Sequence, residues 1–272
     1  MAKHKLMAIG AHADDIEINV GGTLLKYHDV GYEIVYVLST NNFSGQWSTL
    51  QPDGSIRREK PVPEIIEPQR KLEAARAAAA LGTVAIHLDH PQRHYFRPDT
   101  SVAELRYGCP LPASVKQDIP SILTAYEHGP SVRALADLIL KHDPEAVITH
   151  AMPMVDIEHF ATSLLVTKAF WVAVKDGYTG MLLHWHDVSV GQLGEAYVKW
   201  DTHIDFTKQW QRKFDLIGVH ACQIPIASNI DLPPWGLACG CEHAEVFNIV
   251  SRGTRPYQGT PFNFEILRNS GR

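Results

Sequence analysis

Near the start of the chain the run Met7-Ala-Ile-Gly-Ala-His-Ala-Asp-Asp-Ile-Glu17 ends an apolar stretch with a histidine and two adjacent carboxylates, and Gly21-Gly22-Thr23 follows. Adjacent like charges repel, so folding by itself gives little reason to set Asp14 beside Asp15 unless a cation sits between them. A His and a carboxylate spaced as His12 and Asp15 are can turn toward one point on a loop and hold Zn2+, which leaves Asp14 free to take a proton from a metal-bound water. The plainer alternative is that Asp14 or Asp15 caps the following helix, a common use of Asp that requires neither His12 nor both acids.

A three-ligand site needs one more residue from another strand end. The candidates are Ala146-Val-Ile-Thr-His150, which reads as a strand, and Pro153-Met-Val-Asp-Ile-Glu-His159, which opens a helix. His159 is the third ligand on this reading, with Asp156 or Glu158 orienting its ring. Taken alone, the segment is equally well an exposed helix start, because a lone His is rarely a ligand.

These residues must be carried by strand ends, and the chain reads as strands alternating with helices. Strands are expected at Leu6–Ala11, Glu33–Thr40, Val84–Leu88, Ala146–His150, Met181–Val188 and Tyr197–Trp200. Helices are expected at Gly22–Val30 (stopped by Gly31), Glu67–Leu81 (ended by Gly82), Val132–His142, Phe160–Lys175 and, as a last long helix, Phe206–Val219. The pattern predicts an α/β, Rossmann-like, mainly parallel sheet with helices on both faces. In such a sheet ligands bind beyond the carboxyl ends of the strands, where His12, Asp14 and Asp15 lie. Two long inserts interrupt the pattern, Asn41–Glu67 and the Pro-rich His90–Pro130, as functional lids or subunit contacts do. The last fifty or so residues, from about 220, read as irregular. With no internal repeat and no low-complexity linker, residues 1–272 are expected to form one domain.

Bulk properties narrow the function. The chain has 45% hydrophobic residues, a net charge of −5 and no run of Lys or Arg, so it lacks the footprint of a nucleic-acid binder and points to a small-molecule substrate. The opening Met-Ala-Lys-His-Lys leads into a strand-like run without the apolar stretch and cleavage site of a signal peptide, and no later segment reads as long enough to span a bilayer. Four cysteines, Cys109, Cys222, Cys239 and Cys241, are too few for a disulfide framework. A cytoplasmic protein with no membrane partner is expected.

Three other constellations carry weaker signals. Cys239-Gly-Cys241-Glu-His243 lacks a second ligand pair and reads as loop thiols before it reads as a soft-metal site. His184 and His186 alternate on one strand face, which at an edge is solvated. Trp47, Tyr95 and Phe96 lie in the inserts, where packing onto the core competes with stacking on a sugar face.

Taken together, the motifs resemble the zinc-dependent de-N-acetylases of the LmbE-like or PIG-L family. That family's "AHPDD" loop, often continuing "IEIGCGGTL", is matched by AHADDIEINVGGTLLKYHDVGYEIVYVLST from Ala11 to Thr40. Its Arg-x-x-Glu pair on a helix ending Leu-Gly is matched by Arg70, Glu73 and Leu81-Gly82, with HLDHP following. Its "HPDH" corresponds to Asp156-Ile-Glu-His159, and its Lys near "H-x-S-Q" to Lys213 and His220-Ala-Cys-Gln223. The resemblance implies that His12, Asp15 and His159 bind Zn2+, that Asp14 is the general base, and that Arg70 helps bind substrate, unless Arg70 is in a surface salt bridge with Glu73 or Glu67. It also implies a homo-oligomer, a trimer or hexamer, assembled through the 90–130 insert.

The chain departs from the family pattern in three places. Ala13 replaces Pro, and Asn19-Val20 replaces Gly-Cys; neither change removes a ligand. Asp156 replaces the first His of "HPDH", a residue tied to the oxyanion or to proton delivery. An ionised Asp there repels an oxyanion, so the role passes to His150 at the strand end or to His220, or Asp156 itself delivers the proton or orients His159. Three function classes follow: a zinc amidohydrolase removing an acyl group from an amino sugar, glycoconjugate or small amide; a zinc hydratase acting on an unsaturated organic acid; and a non-catalytic binder. The last has no use for a free base beside a metal.

Overall fold

The computed structural model describes residues 4–59, 61, 63–92, 94–96, 103–105, 119–152, 156–186, 199–225, 232 and 235–254. A seven-stranded sheet runs through it in the order β10-β11-β9-β8-β1-β2-β5. Its strands are β1 (Lys5–Gly10), β2 (Glu33–Thr40), β5 (Ala85–His90), β8 (Ala146–His150), β9 (Met181–Trp185), β10 (Thr202–Asp205) and β11 (Ala244–Ser251). β5, β2, β1, β8 and β9 are parallel, whereas β11 joins β9, and β10 joins β11, antiparallel. This is the expected α/β, mainly parallel architecture.

Successive residues of β1 point into different cores, as the period of two requires of a strand buried on both faces. Leu6 and Ala8 join Tyr36, Leu38 and the helices α1 (Asp15–Asp29) and α2 (Pro63–Ala80) on one side. Met7 and Ile9 join Val35, Val37 and Val147 on the other, under α3 (Ile122–Ala125), α4 (Gly129–His142) and α5 (Ile157–Lys175). The chain leaves β1 toward β2 on one side and reaches β8 on the other, so the crevice between the ends of β1 and β8 is the switch point where such sheets bind ligands.

Several sequence expectations are corrected. α1 starts at Asp15, not Gly22, and the glycine pair lies inside it. The Phe206 ring packs where a Cβ on Gly22 would stand, so the glycine answers a close approach and not a helix boundary. The amides of Gly22 and Thr23 donate to the Glu245 carboxylate at 2.9 and 2.7 Å, and Lys213 Nζ holds the same carboxylate at 2.5 Å. The described part of the C-terminal region is not irregular throughout: β11 is an interior strand and α7 (Trp235–Cys239) precedes it. An antiparallel strand can insert without a crossover helix, so no alternation of elements announces it. No strand lies at 199–200; β10 begins at Thr202, and Tyr197 lies outside the described residues. The expected helix from Phe206 to Val219 is a 3-10 turn, Thr207–Gln209, followed by α6 (Trp210–Ile217).

The inserts contain short hairpins, β3 (Trp47–Leu50) with β4 (Ile56–Glu59) and β6 (His94–Phe96) with β7 (Ala103–Leu105). Cys109 and the side chains of Tyr95 and Phe96 fall outside the described residues. β9 is interior, so His184 is buried and burial, aided by His150 and His186, pushes its pKa down to about 4. Contrary to expectation, one helix is long and apolar enough to cross a membrane by length and composition: α5, with 19 residues and mean hydropathy 1.2. Its apolar face packs on the sheet and on α4, which is the position of a core helix.

Candidate metal centre

The turn between β1 and α1 is tied down from all sides. The Ala11 amide donates to His150 Nε2 (3.0 Å), and the Ala11 carbonyl accepts from the Thr40 hydroxyl (2.6 Å). The Ala13 amide donates to Asn42 Oδ1 (2.7 Å), and the Ala13 carbonyl accepts from Arg70 Nη2 (2.6 Å). Held in this way, Asp14 adopts φ 111°, ψ −29°, a strained backbone for any residue with a Cβ. Asp14 is the N-cap of α1, yet its side chain makes no capping hydrogen bond. The capping alternative therefore fails for Asp14. Asp15 accepts the His12 amide at 2.6 Å and faces the site.

His12 Nδ1, Asp15 and His159 Nε2 form a triangle: 3.2 Å between the two nitrogens, 3.2 Å from His159 Nε2 to Asp15 Oδ1, and 3.6 Å from His12 Nδ1 to Asp15 Oδ2. Donors held about 2.0–2.1 Å from a tetrahedral ion stand about 3.3–3.4 Å apart, so the triangle fits a divalent cation of zinc's size. The tautomers agree. His12 Nε2 lies 2.7 Å from Glu158 Oε2 and carries the proton, which leaves the Nδ1 lone pair facing the triangle. Burial is the largest influence on Asp15 and on His12 but is outweighed: His159 and His12 hold Asp15 well below the usual carboxylate range, and Asp15 and Glu158 raise His12. Below its raised pKa His12 carries a second proton that a cation would displace.

Arg70 is buried and reaches Asp14 Oδ1 at 3.3 Å as well as the carbonyls of Ala13 and Ser44. The surface salt bridge is excluded. Glu67 pairs with Lys71, and Glu73 accepts from the Cys222 amide at 3.0 Å and its thiol at 2.8 Å. Burial beside Glu73 pushes that thiol up to about 12, so Cys222 is an inert fixture. Burial and the neighbouring Asp15 raise Asp14, opposed by Arg70 and His220, which moves this carboxyl toward the range useful to a general base.

Asp156 does not orient the His159 ring. It caps α5, its Oδ1 accepting the amides of Glu158 (2.7 Å) and His159 (3.3 Å). His150 has no exposed surface: it stacks on His159 (4.2 Å between centroids) and, as acceptor of the Ala11 amide, braces the loop from beneath, so it is not placed to meet substrate directly. His220 is equally buried, 3.0 Å from Glu17 Oε2. His243, of the Cys239–His243 cluster, lies flat on Trp210 at 3.4 Å, and the only His/Cys/acid triad of ligand geometry among the described residues is His12, Asp15 and His159. Sequence reasoning missed Asn42, Glu17 and Gln92, which joins Glu158 (3.1 Å) to the Ser44 amide (2.9 Å). Only Glu17 had a signal, a carboxylate inside an apolar helix face.

The pattern of the GlcNAc-PI de-N-acetylase (PIG-L) family matches residues 7–170, more than half of the chain, and spans every member of the triangle. The chain belongs to the PIG-L family. Its fold is similar to that of GalB, the 4-carboxy-2-hydroxymuconate hydratase of Pseudomonas putida (17% identity, TM-score 0.64, 94% of this chain and 99% of that one). It is similar to a deacetylase of teicoplanin biosynthesis (18%, 0.62, 93% and 100%). It is also similar to the N,N'-diacetylchitobiose deacetylase of Pyrococcus horikoshii (20%, 0.58, 95% and 87%). At such identities the likeness concerns the fold, and one PIG-L-type fold carries both hydrolysis and hydration.

Proposed function

We propose that this PIG-L protein is a zinc-dependent N-deacetylase that removes an acetyl or similar acyl group from an amino sugar, a glycoconjugate or a related small amide. The observation that carries the reading is a carboxylate, Asp14, held in strained backbone beside a His-Asp-His triangle and left out of helix capping. His12, Asp15 and His159 would hold Zn2+, which when bound supplies a water of lowered pKa and a Lewis acid for the amide oxygen. Asp14 takes the proton from the attacking water, with Arg70 fixing the base and its loop. Asp14 then returns that proton to the departing nitrogen, and His220, which has no exposed surface, bears on Asp14 through its charge. Asp156, a helix cap where the family carries a His, favours a second reading, a hydratase adding water to an unsaturated organic acid.

Incubation with a panel of N-acetyl amino sugars, read by free amine and acetate, tests the first reading. Loss of a conjugated enoic-acid chromophore without amine release would establish the second in its place.

A further inference from the structure

We propose that Gln92 is a positioning residue that fastens the metal ligand His12 to the base Asp14 through one closed circuit of hydrogen bonds. The proposal deepens the deacetylase reading and rests on it.

Gln92 stands just past β5, two strands from β1 in the sheet, at the start of the second insert. Its Nε2 donates to Glu158 Oε2 (3.1 Å), the oxygen that accepts the His12 Nε2 proton (2.7 Å). Its Oε1 accepts the Ser44 amide (2.9 Å), and the Ser44 carbonyl accepts from Arg70 Nη1 (2.7 Å). Arg70 Nη2 then donates to Asp14 Oδ1 (3.3 Å) and to the Ala13 carbonyl (2.6 Å), which returns the path to His12 along the β1–α1 turn. The Gln92 amide has one orientation: a carboxylate needs a donor and a backbone N–H needs an acceptor, so a flipped amide would lose both contacts. The backbone beside it is held independently, the Pro91 carbonyl by the Ile122 amide (3.0 Å) and the His90 carbonyl by the Asn41 amide (3.0 Å).

Gln92, Glu158 and Arg70 are all buried, at 2%, 1% and 4% exposure. Charged and amide groups buried that far are poor material for stability, but bonded to one another they fix geometry. Geometry is what the reaction needs here, because the base must stay within hydrogen-bond reach of a water held by the ligands, and an error of about 1 Å can cost a hundredfold in rate. Without Gln92, Glu158 loses a donor that steadies it against His12, and the Ser44 peptide loses one of the two ends by which it aims Arg70. Ligand and base can then shift separately. Gln92 acts only through Glu158 and Ser44.

Gln92→Met keeps the length and removes both hydrogen bonds. The expected result is a zinc affinity, measured by chelator competition, weaker by about tenfold to a hundredfold, and a kcat lower by a similar factor at little-changed KM. A folded Gln92→Met protein that keeps either its zinc affinity or its kcat overturns the proposal, and a fall in melting temperature alone makes Gln92 a packing residue. Because a cut at either place opens the same circuit, Gln92→Met combined with Arg70→Lys should lose less kcat than the product of the single losses; the full product overturns the closed circuit. The parent protein gives a measurement that needs no variant: the Gln92 side-chain amide should exchange slowly with solvent, and its NMR signal should move on zinc loading. Rapid exchange, or a signal blind to zinc, overturns the proposal. If the parent releases no amine from any N-acyl substrate, the deacetylase reading fails, and zinc affinity alone then decides whether Gln92 holds His12.

Discussion

The N-termini of α1 and α5 offer the same residue at the same position with opposite outcomes. Each helix has an Asp at its N-cap, Asp14 and Asp156, and each enters the triangle, through Asp15 at the first residue of α1 and His159 in the first turn of α5. Asp156 sits at φ −83°, ψ 124°, the usual extended cap conformation, and its carboxylate accepts the amides of Glu158 and His159. Asp14 sits at φ 111°, and its carboxylate turns instead toward Arg70. Backbone conformation separates the two: the tethers from Asn42, His150 and Arg70 force Asp14 out of capping geometry, so one acid serves the fold and the other is available for chemistry.

The largest effect belongs to the ligands that flank the free acid. His12→Ala and Asp15→Ala should each lose bound zinc and all turnover, measured by metal analysis and amine release; full zinc retention in both would remove the metal centre altogether. Next comes the free acid itself. Asp14→Asn should keep its zinc and its melting temperature, because no cap is lost, while kcat falls by about two to four orders of magnitude. A drop in melting temperature with little change in kcat would make Asp14 the cap and erase the contrast.

A smaller, graded effect concerns protons. His12 is raised above its ordinary value in the metal-free protein, and below that raised pKa binding has to displace its proton. Zinc affinity should be level above that raised pKa and fall by about tenfold per pH unit below it, with about one proton released on binding. Calorimetry in buffers of different ionisation heat checks both, and release of none would mean that His12 is neutral before metal arrives. The smallest effect is at the other helix. Asp156→Ala should lower stability by about 1 kcal/mol through the lost cap and leave kcat within about twofold. A large kcat loss at unchanged stability would move proton delivery to Asp156.

Much of the site was legible because its signals are local. His12, Asp14 and Asp15 are consecutive or nearly so, and a strand-to-helix turn needs only short-range geometry to bring them together. His159 could be named because the parallel pattern puts the end of β8 beside that of β1. The bracing was less legible: Asn42 and Gln92 act through contacts between segments far apart in the chain, and Glu158, expected to orient His159, pairs with His12 instead. Gly21-Gly22 misled the helix boundary for the same reason: what requires a glycine there is the ring of Phe206, from the far end of the chain.

By itself the sequence determined the parallel core, the order of its alternating elements and the residue types of the metal centre, since hydrophobic period and ligand chemistry are written locally. Only the tertiary structure decided which acid caps and which stays free, that β11 closes the sheet from within, and that Glu17 faces His220. Each of those outcomes depends on a side chain or strand arriving from a distant part of the chain, and backbone strain and buried charge pairs exist only once it has arrived.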